Sequence, residues 1–221
     1  LPAVPSLALG VAELSPVELL RAYSILANHG VQNDLTVIRG ITQEDAKGFW
    51  YYYSNRKQVV DPGAADVLAD MLETVFTEGT ASSAARMGFD TPAAGKTGTT
   101  SNYRDSWFAG FSPQYTTVVW VGEDQQLANK EGKRVILTGA TAALPIWVNY
   151  MKRAIAVGPP ETFPVSSNIE NVMIDLHSGK AASPGCSAAQ AIMEKYPKGR
   201  EPSDSGCEPA WPEVSSETVG K

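Results

Sequence analysis

The sequence K-T-G-T at Lys96–Thr99 places a cation beside two hydroxyls and a residue that has no side chain. Two kinds of binding site use such a combination. A phosphate-binding loop has the pattern G-x-x-x-x-G-K-[ST] and leads directly into a helix. A strand that binds a carboxylate needs a fixed positive charge and hydroxyl donors. The residues on either side of the motif indicate which of the two is favoured.

The flanking residues do not fit a phosphate-binding loop. The first glycine of that pattern would fall at position 90, where the sequence has Asp90, an acid that would repel a phosphate. The residues that follow Thr97 are GTTSNYRD, a poor first turn for a helix. A nucleotide-binding protein is therefore the less favoured of the two hypotheses.

The same motif suits the first strand of an antiparallel sheet. Residues 93–100 precede two further strand candidates, DSWFAGFS at 105–112 and YTTVVWVG at 115–122. Their β-branched and aromatic residues favour strands, and Pro113-Gln114 between the last two predicts a turn. We expect three strands here, with the last two paired as a hairpin.

On an exposed strand edge, the motif could hold a peptide that ends in a carboxylate. Lys96 would supply a positive charge, and the hydroxyls of Thr97 and Thr99 would donate hydrogen bonds to the carboxylate. Gly98 would let another chain segment or a ligand approach the backbone closely, and the amide of Thr99 would stabilise an oxyanion. An extended peptide could then add to this edge as a further strand.

Helices are predicted on both sides of these strands. The first spans 15–29 and begins with a capping box formed by Ser15 and Glu18. The second spans 61–78, and the third runs from residue 141 to about 157. Their apolar stripes are Leu68, Met71, Leu72, Val75 and Phe76 in the second helix, and Leu144, Trp147, Val148, Met151 and Ile155 in the third. The predicted fold is α/β of the α+β type, an antiparallel sheet flanked by helices.

The composition changes after VGPP at 157–160. We expect residues 1–157 to form the main domain and residues 158–221 a Pro/Gly/Ser-rich appendage with one strand, NVMIDL. The appendage ends in EVSSETVGK, which predicts a disordered acidic tail. Both cysteines, Cys186 and Cys207, lie in this region, and either two free thiols or one disulfide would fit the sequence.

The composition, the net charge and the number of histidines disfavour several classes of protein. Of the 221 residues 43% are hydrophobic and 19% charged, as in a globular protein with a core. A net charge of -6 without a basic cluster disfavours a nucleic-acid partner. The only histidines, His29 and His177, disfavour a zinc site or a Ser-His-Asp triad. No apolar run is long enough to cross a bilayer. Because the chain starts at Leu1 and not at a methionine, we expect a piece of a longer protein.

Long stretches of the chain resemble the transpeptidase domain of the penicillin-binding proteins. AGKTGTTSNYRDSWFAGFSP followed by TTVVWVGED resembles the third, fourth and fifth strands of that domain, most closely in the bifunctional class A type. LPAVPSLALGVAELSPVELLRAYSILANHG resembles the segment ahead of these strands, and MLETVFTEGTASSA resembles the helix and GTA turn before the K-T-G strand. NVMIDLHSGKAASPGC with KGREP resembles the tail of some members. The resemblance implies a penicillin-binding transpeptidase/β-lactamase-like fold, incomplete in this chain.

The resemblance also implies roles for individual residues. Lys96 would hold the electrostatics of the site and its proton-relay hydroxyl. Thr97, Gly98 and Thr99 would bind the terminal carboxylate of a D-Ala-D-Ala stem peptide of peptidoglycan, or of a β-lactam that imitates it. The Thr99 amide would form half of the oxyanion hole, and no cofactor or metal is implied. In the appendage, the resemblance favours a disulfide between Cys186 and Cys207.

The serine nucleophile of this family lies in an S-x-x-K motif, and an S-x-N motif assists it; both precede K-T-G in the chain. The S-x-x-K at Ser54–Lys57 has the wrong context, because FWYYYSNRKQVVDP predicts a hairpin tip and not the start of a helix. Ser166-Ser167-Asn168 follows K-T-G, which is the wrong order. We therefore expect the nucleophile upstream of residue 1.

Four consequences are expected if the nucleophile lies upstream. The chain alone would be inactive, and a companion N-terminal fragment would carry S-x-x-K and S-x-N. Residues 1–30 and the helix at 61–78 would expose apolar surface where that fragment packs. The resemblance places the protein outside the cytoplasm, anchored by a preceding segment. A non-catalytic scaffold with the same fold stays an alternative hypothesis.

Overall fold

The chain divides into two compact units, Leu1–Ser166 and Ser167–Lys221. The computed structural model describes residues 3–42, 48–122, 136–156, 161–163, 166–203 and 205–207. The domain boundary expected after residue 157 and the acidic tail expected at 213–221 both lie outside the described residues.

The first unit opens with two helices and four short strands. A 3-10 helix spans Pro5–Leu9, and helix α1 spans Pro16–Ala27. The strands are β1 (Val31–Asn33), β2 (Gly40–Thr42), β3 (Phe49–Tyr51) and β4 (Arg56–Gln58). They form two separate antiparallel pairs, β1 with β4 and β2 with β3. Each of these pairings extends over only three residues.

Two helices, the main sheet and a last helix complete this unit. The helices are α2 (Pro62–Thr77) and α3 (Ser83–Arg86). The strands are β5 (Ala94–Thr99), β6 (Asp105–Phe111) and β7 (Thr116–Gly122). A π-helical turn at Gly139–Ala143 leads into α4 (Leu144–Ile155). The antiparallel order β5-β6-β7, with helices packed on the sheet, confirms the predicted fold class.

The predicted capping box starts α1. The hydroxyl of Ser15 accepts a hydrogen bond from the amide of Glu18 over 3.3 Å, and the Glu18 carboxylate accepts one from the Ser15 amide over 2.8 Å. The hydrogen bond from the Ser15 amide to the Glu18 carboxylate, and after it the one from the Ser15 hydroxyl, hold the pKa of Glu18 below its usual value. The chain leaves the helix through Gly30, whose φ of 83° is left-handed and suits glycine.

The core lies between the sheet and α4. The indole of Trp147 is fully buried and contacts three rings, with centroid distances of 5.5 Å to Phe76, 5.3 Å to Phe89 and 5.1 Å to Phe108. All five residues of the predicted α4 stripe are buried. This face of the sheet is therefore fixed by an aromatic cluster that β6 shares with α2 and α4.

The apolar stripe of α2 is only partly covered. Val75 and Phe76 pack against the core, whereas Leu68 is 42% exposed and Met71 61% exposed. The part of the predicted apolar stripe that contains Leu68 and Met71 is therefore not covered by the described core.

The second unit is a four-stranded sheet. Its strands are β8 (Ile169–Asp175), β9 (Ala181–Ala182), β10 (Ala191–Pro197) and β11 (Ser205–Gly206). Their order is β10-β8-β9-β11, and β8 contains the predicted strand NVMIDL except for its last residue. A disulfide joins Cys186 to Cys207, whose Cα atoms are 5.5 Å apart.

The described residues contain neither a membrane-spanning helix nor a metal-binding cluster. None of their helices is both long and apolar enough to cross a membrane. They also contain no group of three or more histidine, cysteine, aspartate or glutamate side chains that could hold a metal ion.

Candidate functional site

The K-T-G-T motif makes up most of β5, whose only strand neighbour in the described part of the chain is β6. One long edge of β5 is therefore open to a further strand. Because side chains alternate along a strand, Thr97 and Thr99 share one face, and Lys96 and Gly98 lie on the other. Lys96 and Thr99 are exposed, and Thr97 and Gly98 are half-buried.

The backbone amide of Thr99 points to this open edge. The amide of Thr100 donates to the carbonyl of Asp105 over 3.1 Å, so these two residues form a hydrogen-bonded pair of the antiparallel ladder. Such pairs alternate with non-hydrogen-bonded pairs along the strand. The amides and carbonyls of Thr97 and Thr99 therefore face away from β6.

The side chain of Lys96 reaches the same edge. Its Nζ donates to the carbonyl oxygen of Thr97 over 3.2 Å and to Oγ1 of Thr97 over 3.3 Å. Among the described residues no carboxylate pairs with Lys96. The edge thus carries a positive charge that a ligand carboxylate could neutralise.

The two threonine hydroxyls are held by different parts of the chain. Oγ1 of Thr97 lies 2.7 Å from Oγ1 of Thr80, in the turn that follows α2. Oγ1 of Thr99 accepts a hydrogen bond from the amide of Gly139 over 3.0 Å. The two hydroxyls lie on the same face of the strand and are therefore anchored by two different segments of the chain.

Gly98 is closely approached by the chain itself. A Cβ at this position would lie 3.1 Å from Cβ of Trp107, and a Cβ on Gly139 would lie 2.8 Å from the carbonyl oxygen of Gly98. The close approach predicted for Gly98 therefore occurs with these two residues. The approach of a ligand to Gly98 stays a prediction.

The S-x-x-K at Ser54–Lys57 does not form a nucleophile and base on a helix. Ser54 lies between β3 and β4, and its hydroxyl accepts from the amide of Asp34 over 3.0 Å. Lys57 is exposed on β4, opposite Gln32. The predicted hairpin tip was wrong, because β3 and β4 each pair with a different strand, but the conclusion that Ser54 lacks the required context is unchanged.

The structure contradicts the hypothesis of a phosphate-binding loop. Gly95, Lys96 and Thr97 lie inside a regular strand, and Gly98 and Thr99 continue it. The next element after the turn at 100–104 is the strand β6. No helix N-terminus therefore stands behind the motif to bind a phosphate, as a phosphate-binding loop requires.

Comparison with known proteins identifies the family. Residues 3–135 match the family model described as penicillin binding protein transpeptidase domain. The chain belongs to this transpeptidase family. Penicillin-binding protein 1A of Aquifex aeolicus is 35% identical over 197 residues, which are 89% of this chain and 26% of that protein. This similarity confirms the resemblance to class A members, and the chain spans only about a quarter of the length of that relative.

Two solved structures share the fold. Penicillin-binding protein 1A from Haemophilus influenzae has a TM-score of 0.78 at 24% identity, over 93% of this chain and 35% of that chain. The D,D-transpeptidase domain of a peptidoglycan glycosyltransferase from Eggerthella lenta has a TM-score of 0.51 at 26% identity, over 65% of this chain and 32% of that chain.

Sequence reasoning missed two residues that hold the motif, Thr80 and Gly139. Thr80 belongs to the GTA turn that carries part of the family resemblance, but that pattern does not say which way its hydroxyl points. Gly139 lies 40 residues from the threonine it binds, and no local pattern marks it.

Proposed function

We propose that this chain is the C-terminal part of a serine D,D-transpeptidase domain that crosslinks peptidoglycan stem peptides through an acyl-enzyme and is acylated by β-lactams. The observation that carries the proposal is the open edge of β5. There the Lys96 ammonium group, which no carboxylate of the described residues pairs with, lies within one strand with two threonine hydroxyls and an outward-pointing amide.

The edge suits a peptide that ends in a carboxylate. Such a peptide could pair with the outward amides and carbonyls of Thr97 and Thr99 as a further strand. Its carboxylate would accept hydrogen bonds from the two hydroxyls and lie near the positive charge of Lys96. This arrangement would fix the scissile amide relative to the strand, which is the positioning part of catalysis.

The amide of Thr99 would act on the scissile carbonyl. When a nucleophile attacks that carbonyl, negative charge develops on its oxygen, and a backbone amide aimed at this oxygen stabilises the tetrahedral intermediate. The amide of Thr99 points to the open edge, so it can serve as one of the two donors of an oxyanion hole.

The nucleophile and its base would come from S-x-x-K and S-x-N motifs on an N-terminal segment outside these 221 residues. The short span of this chain relative to the Aquifex protein supports this proposal. The companion segment would pack against the exposed part of α2 at Leu68 and Met71. The chain without it would be inactive, and the whole protein would act outside the cytoplasm, anchored through its N-terminal part.

The test is the intact mass of the longer protein that contains this chain, after incubation with a β-lactam. We expect one covalent adduct, and peptide mapping should place it on a serine N-terminal to residue 1. The variant Lys96→Gln should lower the rate of acylation by about 10- to 150-fold, the effect of losing a charge-assisted hydrogen bond. The variant Lys57→Gln, on the S-x-x-K that lacks a helix, should keep the wild-type rate.

Three results would contradict the proposal in different ways. An adduct on Ser54 would make that serine the nucleophile. A folded longer protein without any adduct would indicate a non-catalytic scaffold. An adduct that forms equally fast in the Lys96→Gln variant would exclude this strand as the carboxylate-binding element.

A further inference from the structure

We propose that Thr80 is a positioning residue, which orients the hydroxyl of Thr97 towards the carboxylate of the substrate. The inference rests on the proposed function, since it assigns a role in the binding of that carboxylate. Its basis is the distance of 2.7 Å between Oγ1 of Thr80 and Oγ1 of Thr97, which join the end of α2 to the open strand.

The turn after α2 fixes Thr80 at this place. The amide of Gly79 donates to the carbonyl of Thr74 over 3.2 Å, and the amide of Ala81 donates to that of Val75 over 3.0 Å. A Cβ on Gly79 would lie 2.7 Å from Cα of Val75, so the turn can fold this closely onto the helix only with glycine. Ala81 is fully buried in the core. The position of Thr80 is therefore fixed by its two neighbours, Gly79 packed against Val75 and Ala81 buried in the core.

The hydrogen bonds that Oγ1 of Thr97 accepts determine to which group its hydroxyl proton can be donated. A threonine hydroxyl has one proton to donate and two lone pairs that accept. Nζ of Lys96 can only donate, so Oγ1 of Thr97 accepts from it over 3.3 Å. If Thr80 also donates to Thr97, both lone pairs are used, and the proton of Thr97 is left for a third group.

A bound carboxylate selects this arrangement. A carboxylate can only accept, so Thr97 must donate to it, and Thr80 must then donate to Thr97. Hydrogen bonds in such a chain strengthen one another. Without the hydroxyl of Thr80, Thr97 loses the donor that orients it and binds the carboxylate less well. The effect is largest for ligands that carry this carboxylate, because hydrogen bonds to a charged acceptor are stronger than those to a neutral one.

The test uses the longer protein that contains this chain and one β-lactam in two forms, the free carboxylic acid and its carboxamide. Rate constants of acylation are measured for both forms by mass spectrometry. In the variant Thr80→Val we expect the rate with the free acid to fall about three- to tenfold, the range for losing one intramolecular hydrogen bond. The rate with the carboxamide should fall less, because its neutral oxygen accepts a weaker hydrogen bond from Thr97 than a carboxylate does. Thr80→Ser, which keeps a hydroxyl, should restore the preference for the acid.

A matched control is Thr77→Val, which removes a hydroxyl from the last residue of α2. That hydroxyl donates to the carbonyl of Thr74, and among the described residues it has no hydrogen bond to β5, so neither rate should change. Equal losses for both forms of the β-lactam in Thr80→Val, or no loss at all, would overturn the inference while leaving the proposed function intact. A wild-type protein that neither form acylates would overturn the proposed function and the inference with it.

Discussion

The amide of Gly139 donates to the hydroxyl oxygen of Thr99 across 40 residues of sequence, over a distance of 3.0 Å. The bond ties the turn that precedes α4 to the strand that carries the candidate site. Since Oγ1 of Thr99 accepts this bond, its own proton is directed to another acceptor. The two threonines of the motif are therefore oriented by two different segments, Thr97 by the turn after α2 and Thr99 by the turn before α4.

The first prediction is that Gly139→Ala disturbs this contact. The added Cβ would lie 2.8 Å from the carbonyl oxygen of Gly98 and 3.0 Å from its amide nitrogen, and backbone cannot move aside as a flexible side chain would. We expect a loss of about 1–3 kcal/mol in the free energy of unfolding, as for other overpacked sites. Chemical denaturation measures this loss, and the rate of β-lactam acylation should fall in parallel.

Gly48→Ala is the control for Gly139→Ala. No atom lies within 4 Å of the position that its Cβ would take, and its φ is not left-handed. If the Gly139→Ala and Gly48→Ala proteins had the same free energy of unfolding, the turn before α4 would not be in close contact with β5.

The second prediction concerns Trp147 in the core. Its ring contacts Phe76, Phe89 and Phe108, and its Nε1 donates to the carbonyl of Thr117 over 3.1 Å. Trp147→Ala should lower the free energy of unfolding by about 3–5 kcal/mol, because it leaves a large cavity and an unpaired carbonyl.

Thermal and chemical unfolding measure the effect of Trp147→Ala. Trp50→Ala is the matched control, since Trp50 is 51% exposed on the short strand β3. If the two variants lost the same stability, the sheet and α4 would not share one cooperative core.

Much of this core could be predicted from the sequence, because its determinants are local. The α4 stripe repeats at helical spacing, and each of its five residues is buried. The cap of α1 needs only Ser15 and Glu18, three residues apart. The order of β5, β6 and β7 follows from two short turns between apolar strands.

The rest depends on contacts between distant parts of the chain. The aromatic run at 49–53 has strong strand propensity, yet β3 and β4 are short and pair with β2 and β1. Propensity describes how a residue fits a sheet and does not name its partner strand. The same holds for the site: the K-T-G-T strand is visible in the sequence, but the contacts of Thr97 with Thr80 and of Thr99 with Gly139 are not.

The third prediction is an acid-dependent loss of stability in the second unit. The buried carboxylate of Asp175 accepts from the hydroxyl of Ser178 over 2.6 Å, from the amide of Cys207 over 2.8 Å and from the amide of His177 over 3.0 Å. These bonds, with that from Ser178 the largest, lower the pKa of Asp175 to about 2. Because the pKa of Asp175 is lower in the folded state than its ordinary value of 3.8, the stabilisation is complete above pH 3.8 and is lost as the pH falls towards 2.

Hydrogen exchange of the His177 and Cys207 amides, followed between pH 5 and 2, measures this loss of protection. Asp175→Asn should reduce protection at neutral pH and remove most of its change below about pH 4. Glu194→Gln, a change of an exposed carboxylate on β10, should leave the pH dependence as in the wild type. An unchanged profile in Asp175→Asn would assign the acid transition to other groups.

The fourth prediction concerns the disulfide between Cys186 and Cys207, which are separated by 21 residues. The strand β11 next to Cys207 pairs with β9 over only two residues, so few hydrogen bonds hold the end of the described chain. A crosslink that closes a loop of this size lowers the entropy of the unfolded chain and contributes about 3 kcal/mol. We expect the double variant Cys186→Ser, Cys207→Ser to lose protection from hydrogen exchange first at the amide of residue 207, while the core around Trp147 keeps its unfolding midpoint.

The unchanged protein gives a second test of the disulfide. It should resist alkylation by iodoacetamide until a reductant is added, and alkylation of both thiols without reductant would contradict the crosslink.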